Sequence, residues 1–487
     1  MRSIKYYVWP TILLVTVLFS NPVAQAGYQK KTKNKKSALS KKTKPNKASL
    51  ALLEAAAQID LKAVRAALAA GASVNARDKD GRSALLLATN KGSVEIVKEL
   101  IAQGAQVNTP DNEGRTPIMY TTSVDLIKIL IDAGADVKAY DKEKKTVLMN
   151  IVEYRPTYQE TVAALLNAGA DVTAKDRLGI SVLNYAIRAC IGVRYRDQDA
   201  DLPDRERLLD TVRVLLAAYK QSDKVDNNEL NSLLGYGVYN GQILQLLVEA
   251  GADVNAPTDS GRPLLVSLAR IGINPASVEL LLNLGADPNV RDPQGNPVLV
   301  VAAAGRSTEI IRLLLNAGAN INAEDKDGRT ALIVAVERSN IGIAEMLINA
   351  GANPNVKNGR GNTALLVSAD NGKIEIVKAL IAAGADVDSR DNNGHTPLMM
   401  ASRLGHNQCV QALLEAGADI DAYNNNGQTA LIMAIDKYPY IETVKLLLQA
   451  GANFNVEDNN GETALEVAIK DGRDEVVQLL KAAGARD

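Results

Sequence analysis

His395, His406 and Cys409 fall within one short stretch, and those residue types raise the question of a zinc site. His406 and Cys409 are spaced to share a helix face, but His395 belongs to the turn before it. Two ligands do not close a structural zinc site, so no metal is expected. The tetrapeptide DKDG at 78–81 and again at 325–328 invites comparison with a calcium loop. With Asp78 and Asp80 as third and fifth positions, the first ligand would be Ala76 and the bidentate twelfth Leu87. In the second copy the same slots hold Ala323 and Val334, and none of the four can coordinate a cation. Cys190 has no histidine near it in sequence, and neither a Gly-x-Ser-x-Gly nor a phosphate-binding Gly-x-x-x-x-Gly-Lys is present. No enzyme and no cofactor are expected.

The two DKDG phrases matter for another reason. DKDGRSALLLAT (78–89) returns almost verbatim as DKDGRTALIVAV (325–336). A second signature, Gly-Ala-x-x-[Asn/Asp], marks the period better: from Gly285 through Gly318, Gly351 and Gly384 to Gly417 every step is 33 residues. A fixed period in that range signals a solenoid. The 487 residues exceed one ordinary core, and only 4% are aromatic, which suits thin packing by small residues.

Residues 391–422 show the grammar of one unit. Asp391 to Gly394 is a turn, Thr396 is placed to cap a helix, and Pro397 takes the first helical position, where a missing N–H costs nothing. Leu398, Met399 and Ala401 give that helix an apolar face, Gly405-His406 breaks it, and Val410, Leu413 and Leu414 mark a second helix. Gly417 then closes the second helix as its C′ residue. Such a pair cannot bury its own apolar faces; stacked neighbours can.

The pattern Asp-x-x-Gly-x-Thr-Pro-Leu, followed by Val-x-x-Leu-Leu-x-x-Gly-Ala-Asp, resembles the ankyrin repeat and runs over residues 49–487. The resemblance implies an all-α solenoid of about twelve helix-turn-helix units behind an N-terminal helical cap. One departure is consistent: the family's favoured histidine after Thr-Pro-Leu is replaced, for example by Leu86, Met119, Met399 and Ile432. The resemblance also implies a protein-binding module that uses its turn tips and concave inner helices. On that basis the tip residues are Arg82, Arg115, Arg262, Asn296, Arg329, Asn362, His395, Gln428 and Glu462.

Irregular units are the informative ones. The second loses three residues between its helices, and the third gains two around VEYRPTYQE. Degenerate units with an insertion occupy about 171–250: the extra residues IGVRYRDQDADLPDRER (191–207) read as a charged loop, and the fifth unit keeps only its second helix clearly. Nine of the 15 tyrosines lie between Tyr120 and Tyr239. Tyrosine suits interfaces because it buries area at little rotamer cost and keeps a hydrogen bond. The candidate partner-binding residues are therefore Tyr154, Tyr158, Tyr195, Arg196, Tyr236 and Tyr239, with Arg82, Arg115 and Arg329 from the turns. The bland alternative is repeat decay, with tyrosines filling packing defects.

Two segments precede the array. Residues 1–26 read as a secretory signal peptide: Arg2 and Lys5, a short apolar run at 8–19, then Ala24-Gln25-Ala26 as the cleavage signature. Residues 27–48 carry nine lysines and no acid and are expected to be disordered. Residues 1–48 hold 11 of the 55 basic residues, leaving 44 basic against 56 acidic in 49–487, a net −12. The expectation is an exported monomer, periplasmic or secreted, acting as adapter, inhibitor or protector of a partner protein, with no nucleic-acid partner. The alternatives are an envelope-tethered structural protein, binding anionic polymer or lipid through Lys30–Lys47, and an effector delivered to another cell.

Overall fold

The computed structural model describes residues 46–154, 159–196, 202–258, 260–435 and 440–486. The signal segment and most of the Lys-rich segment, including Ala24 and Ala26, lie outside them. The described residues form 25 α-helices and one short 3-10 helix, arranged as thirteen successive pairs: an N-terminal pair, Lys47–Gln58 and Leu61–Ala69, then twelve units. First helices pack on neighbouring first helices and second helices on neighbouring second helices, so the array is a linear stack. Among the described residues, strand-like pairing is limited to isolated bridges at hairpin bases, such as Tyr423 with Thr429. No described helix is long and apolar enough to cross a membrane.

The layering follows from the apolar pattern. In unit eight the first helix, Ala331–Glu337, buries every residue from Ala331 to Val336, because it is covered by both neighbours and by its own second helix. The second helix, Ile341–Asn349, buries only Ile343, Ala344 and Leu347, one stripe at helical spacing. One continuous apolar cluster runs from Leu52 to Ala485. The missing family histidine fits this: Leu86, Met399 and Ile432 are buried and apolar at that position. Met399 also lets its sulfur accept the Thr396 N–H at 3.4 Å.

Local signals act as the residue types dictate. Thr396 caps the helix Pro397–Arg403 by accepting the Met399 N–H, and Ser83, Thr330, Thr363 and Thr463 do the same in their units. Gly417 follows the second helix with φ of 85°, a conformation glycine alone adopts freely. At Gly394 the reason is also spatial: a Cβ would meet Asn425 Oδ1 of the next hairpin at 2.6 Å.

The acid that opens each turn is a backbone acceptor. Asp325 Oδ1 takes the N–H of Asp327 at 2.9 Å and of Arg329 at 2.8 Å. Asp78, Asp111, Asp141, Asp176, Asp292, Asp391 and Asp458 repeat this pairing, as do Asn358 and Asn424. The DKDG phrase is thus a turn whose carboxylate is filled by its own backbone.

The irregular units differ from expectation in two places. The insertion at 191–207 is not a plain loop. It lengthens both helices of unit four, to Val182–Arg196 and Leu202–Lys220, and leaves 197–201 outside the described residues. Unit five has two helices rather than one, Asn227–Gly237 and Gly241–Glu249. Asp226 caps the first by accepting the Asn228 N–H at 3.0 Å, and Leu230, Leu233 and Leu234 bury its inner face. In unit two the shortened link leaves only the 3-10 turn Pro117–Tyr120 as first helix.

Replacing Asp325 by alanine strands two backbone donors in a buried turn, and the expected loss is about 2–3 kcal/mol. Asp325→Asn should cost under about 1 kcal/mol, because Asn358 and Asn424 do the same work. Urea unfolding followed by circular dichroism separates the two; equal midpoints would mean that the turn acid is dispensable.

Candidate functional site

Grooves run along the side formed by the hairpins and the first helices. One, of about 630 Å³, is lined by Lys145, Glu153, Asp176, Arg177, Tyr185 and Arg188, among others. A second, of about 330 Å³, includes Arg115, Tyr120, Asp141 and again Lys145. The two meet at Lys145 and span units two to four.

What joins these units is a chain of displaced partners. In units one and eight, the arginine four residues after the turn acid folds back onto it: Arg82 onto Asp78 at 2.8 Å and Arg329 onto Asp325 at 2.9 Å. In unit two that place is taken, because the Tyr120 hydroxyl donates to Asp111. Arg115 turns instead to Asp141 of unit three, 3.7 Å away. Lys145, the corresponding cation of unit three, reaches Glu153 at 2.6 Å and lies 4.9 Å from the centre of the Tyr185 ring of unit four. Tyr185 in turn donates to Asp176 at 2.7 Å.

These surroundings tune the groups. Burial and the hydrogen bond to Asp176 push the Tyr185 phenol up to about 12, against the opposing pull of Lys145. Tyr120 is raised for the same reasons, burial and Asp111. Burial alone would lower Lys145, but its bonds to Glu153 and Tyr185 outweigh that and raise it. The groove therefore presents two phenols held protonated beside two cations held charged, an arrangement that suits recognition.

A different device holds units four and five together. The Tyr219 side chain is wholly buried, and its hydroxyl accepts the Asp226 N–H at 3.0 Å. Lys175 bridges to Glu229 at 3.2 Å and Asp226 at 3.6 Å. A tyrosine and an ion pair thus stand where the missing Thr-Pro-Leu hairpin would have stood.

The candidate residues from the sequence scatter. Arg115 lies in the groove, while Arg82 and Arg329 are at the equivalent place in units one and eight. Tyr236 is half-buried against the core. Tyr239 is 44% exposed and lines a separate groove of about 520 Å³ with Cys190, Leu209 and Asn274, at the other ends of the helices. Tyr154 ends the first helix of unit three, and Tyr195 and Arg196 end that of unit four; Tyr158 lies outside the described residues. Sequence reasoning passed over Lys145, Glu153 and Asp176. Their signal was faint: a lysine, rather than an arginine, four residues after a turn acid, with tyrosines nine residues after Asp111 and Asp176.

The first chemistry considered falls apart in three dimensions. His395 Nδ1 sits 3.0 Å from Asp391, His406 Nε2 3.0 Å from the Asp370 carbonyl, and Cys409 is buried in the core. Among the described residues no group of three or more His, Cys, Asp or Glu side chains is gathered as a metal site. Burial pushes the thiols up, Cys190 to about 12 and Cys409 to about 11, the opposite of an activated nucleophile.

The raised Tyr185 value has a readout. The folded protein holds this phenol protonated above its ordinary value of 10, so its contribution to stability is complete below pH 10 and is lost as pH rises toward 12. Tyrosinate absorbance of Tyr185→Phe should match the parent near pH 10 and fall short by about half a tyrosine near pH 12. A shortfall already at pH 10 would place Tyr185 in an ordinary aqueous setting.

Comparison with known proteins follows the same lines. A family model described as ankyrin repeats, in three copies, matches residues 52–141, 264–358, 350–424 and 417–486. The stretch 142–263 between the first two matches holds units three to five. No curated protein matches the chain. Among solved structures, an ankyrin repeat domain from Acinetobacter baumannii AYE is 38% identical, covering 39% of this chain and 98% of its own, with a TM-score of 0.37. EF0377, an ankyrin repeat protein, is 33% identical, covering 38% of this chain and 96% of its own, with a TM-score of 0.36.

Proposed function

This chain belongs to the ankyrin repeat family, a family of protein-interaction modules, and from that premise we propose that it binds a partner protein through the groove of units two to four. The observation that carries this reading is the Arg115–Tyr120–Lys145–Tyr185 chain of contacts. It runs through units two to four, where the links between helices depart from the regular period, and it aligns two phenols and two cations along one face. Tyrosine and arginine are the side chains that most often dominate binding energy at protein interfaces. Because the cations are held in place by neighbouring units, little side-chain entropy is lost on docking.

The partner is met outside the cytoplasm in this proposal. A positive start, an apolar run at 8–19 and Ala24-Gln25-Ala26 support export, with Gly27 as the new N-terminus. Adapter, inhibitor or protector of an envelope protein is the role that fits a binding array with no activated nucleophile in its groove. A second reading rests on the nine lysines between Lys30 and Lys47, which would attract an anionic polymer or lipid surface and tether the array there.

Affinity capture from an envelope extract, with the full chain as bait, tests the first reading. One stoichiometric protein should survive high salt, and Tyr120→Ala/Tyr185→Ala should weaken its capture at least about tenfold, as interface tyrosines do. Unchanged capture by that variant would move the interface elsewhere, while recovery of anionic polymer alone, lost at high salt, would favour the Lys-rich segment. Export is checked by cell fractionation with N-terminal sequencing. A mature chain starting at Gly27 supports it; an intact Met1 in the cytoplasm removes it.

A further inference from the structure

Two sets of repeated bonds tie each unit to the next. In the first, a backbone N–H of one hairpin donates to a backbone carbonyl of the hairpin before it. Units one to four are joined in this way: Asn112 to Asp80 at 2.9 Å, Lys142 to Glu113 at 2.9 Å and Arg177 to Glu143 at 2.8 Å. Units eight to twelve are joined so again, from Gly359 on Asp327 at 2.7 Å to Asn459 on Asn426 at 3.0 Å. In the second, an Asn or Asp at the close of one unit accepts a backbone N–H from the close of the next. Asn75 and Asn108 supply this bond at 2.8 Å from the cap to unit two. From Asn255 it runs without a break from unit five to unit eleven. Every junction has one bond or the other except that between units four and five, which has neither among the described residues. Unit five has no hairpin to offer. The Asp253 N–H that would reach back to unit four is taken at 2.8 Å by Asn231 of unit five itself.

What spans this junction is of another kind. Lys175 meets Glu229 at 3.2 Å and Asp226 at 3.6 Å, Tyr219 accepts the Asp226 N–H at 3.0 Å, and Lys220 donates to the Glu249 carbonyl at 2.9 Å. The Glu229 side chain is only 9% exposed, and its Oε1 has no hydrogen-bond partner among the described residues, so Lys175 is the cation that holds its charge. The apolar core continues across the junction. Apolar burial is non-directional and tolerates rotation, whereas a directional bond at every step fixes it. In a linear stack stability is a sum of unit and nearest-neighbour terms, so one differently made junction divides the array. We infer that the chain is built as two bodies, the cap with units one to four and units five to twelve, hinged between units four and five and clamped there by Lys175. The tyrosine groove lies wholly in the first body, so the hinge re-aims it without deforming it. This inference concerns the scaffold and does not rest on the protein-binding reading.

Two native thiols report on the two bodies: half-buried Cys190 in unit four and buried Cys409 in unit ten. Burial raises both thiols, so labelling of the folded chain is slow and unfolding exposes them. The full chain is equilibrated in urea, pulsed with N-ethylmaleimide, and each cysteine is read by peptide mass spectrometry. The two midpoints should differ by about 0.5 M urea or more, beyond the error of such curves. Cys190 should label first, because its body lacks the repeated amide at Lys138 and Thr173. Lys175→Met should lower the Cys190 midpoint and leave that of Cys409 in place, since the second body unfolds after the junction is already lost. If that variant fails to fold, Lys175→Met/Glu229→Gln replaces it, with the same expectation. Lys142→Met, which removes an exposed pair with Glu113 inside the first body, should move neither midpoint. Backbone hydrogen exchange at the same urea concentrations should show units one to three opening together with Cys190. Three results would overturn the inference: coincident midpoints in the parent, equal falls of both in the Lys175 variant, or opening of Val182–Arg196 alone.

Discussion

No unit of this chain can bury its own helices, so everything rests on how each unit is fixed to the next. One hydrogen bond recurs for that purpose. The Asn or Asp that ends Gly-Ala-x-x-[Asn/Asp] accepts, through its side-chain oxygen, the backbone N–H of the third residue of the same signature in the following unit: Asn289 from Asn320 at 2.7 Å, Asn322 from Asn353 at 2.9 Å, Asp388 from Asp419 at 2.9 Å. Asn75, Asn108, Asn255, Asn355 and Asp421 do likewise. Each bond is modest alone, but repetition sets a common spacing and rotation, and helix faces then meet ridge to groove with no further instruction.

The ladder is interrupted where that position holds Lys138 and Thr173, whose side chains do not supply the bond. Other interactions take over in the same stretch. The tyrosine and cation chain ties units two to four, Tyr219 and Lys175 tie four to five, and Lys220 reaches the Glu249 carbonyl at 2.9 Å. Within unit five, Asn231 supplies an acceptor to Asp253 at 2.8 Å. The irregular region is therefore joined by specific side-chain networks rather than by a repeated amide.

The turn acids bear on recognition as well as folding. Each spends one oxygen on its own backbone, and many spend the other on a nearby cation, tyrosine or amide. The carboxylates on the hairpin side are thus held in fixed places by the chain's own donors. What a partner meets there depends on which cations are left unpaired, and that differs from unit to unit while the scaffold does not.

The fold was legible in the residues because its determinants are local and repeated: a turn acid, a capping hydroxyl at Thr396, a proline at Pro397, a closing glycine at Gly417, and apolar positions at helical spacing. The same logic misread 191–207 as a loop and missed the first helix of unit five. There the turn signature is absent, and helix formation is decided by packing of residues such as Leu230, Leu233 and Tyr219 against neighbours far along the chain. The tyrosine enrichment was visible, but not its geometry. Whether Arg115 serves its own Asp111 or the next unit's Asp141 depends on a hydroxyl, that of Tyr120, arriving first. Likewise Arg329 and Arg338 look alike as letters, yet one is consumed by Asp325 and the other faces a groove unpaired. The sequence by itself determined the unit and its stacking, since those follow from backbone hydrogen bonding and periodicity. Only the tertiary structure decided which charges are spent and which remain, because ion pairing is settled by distances between units that no single repeat encodes.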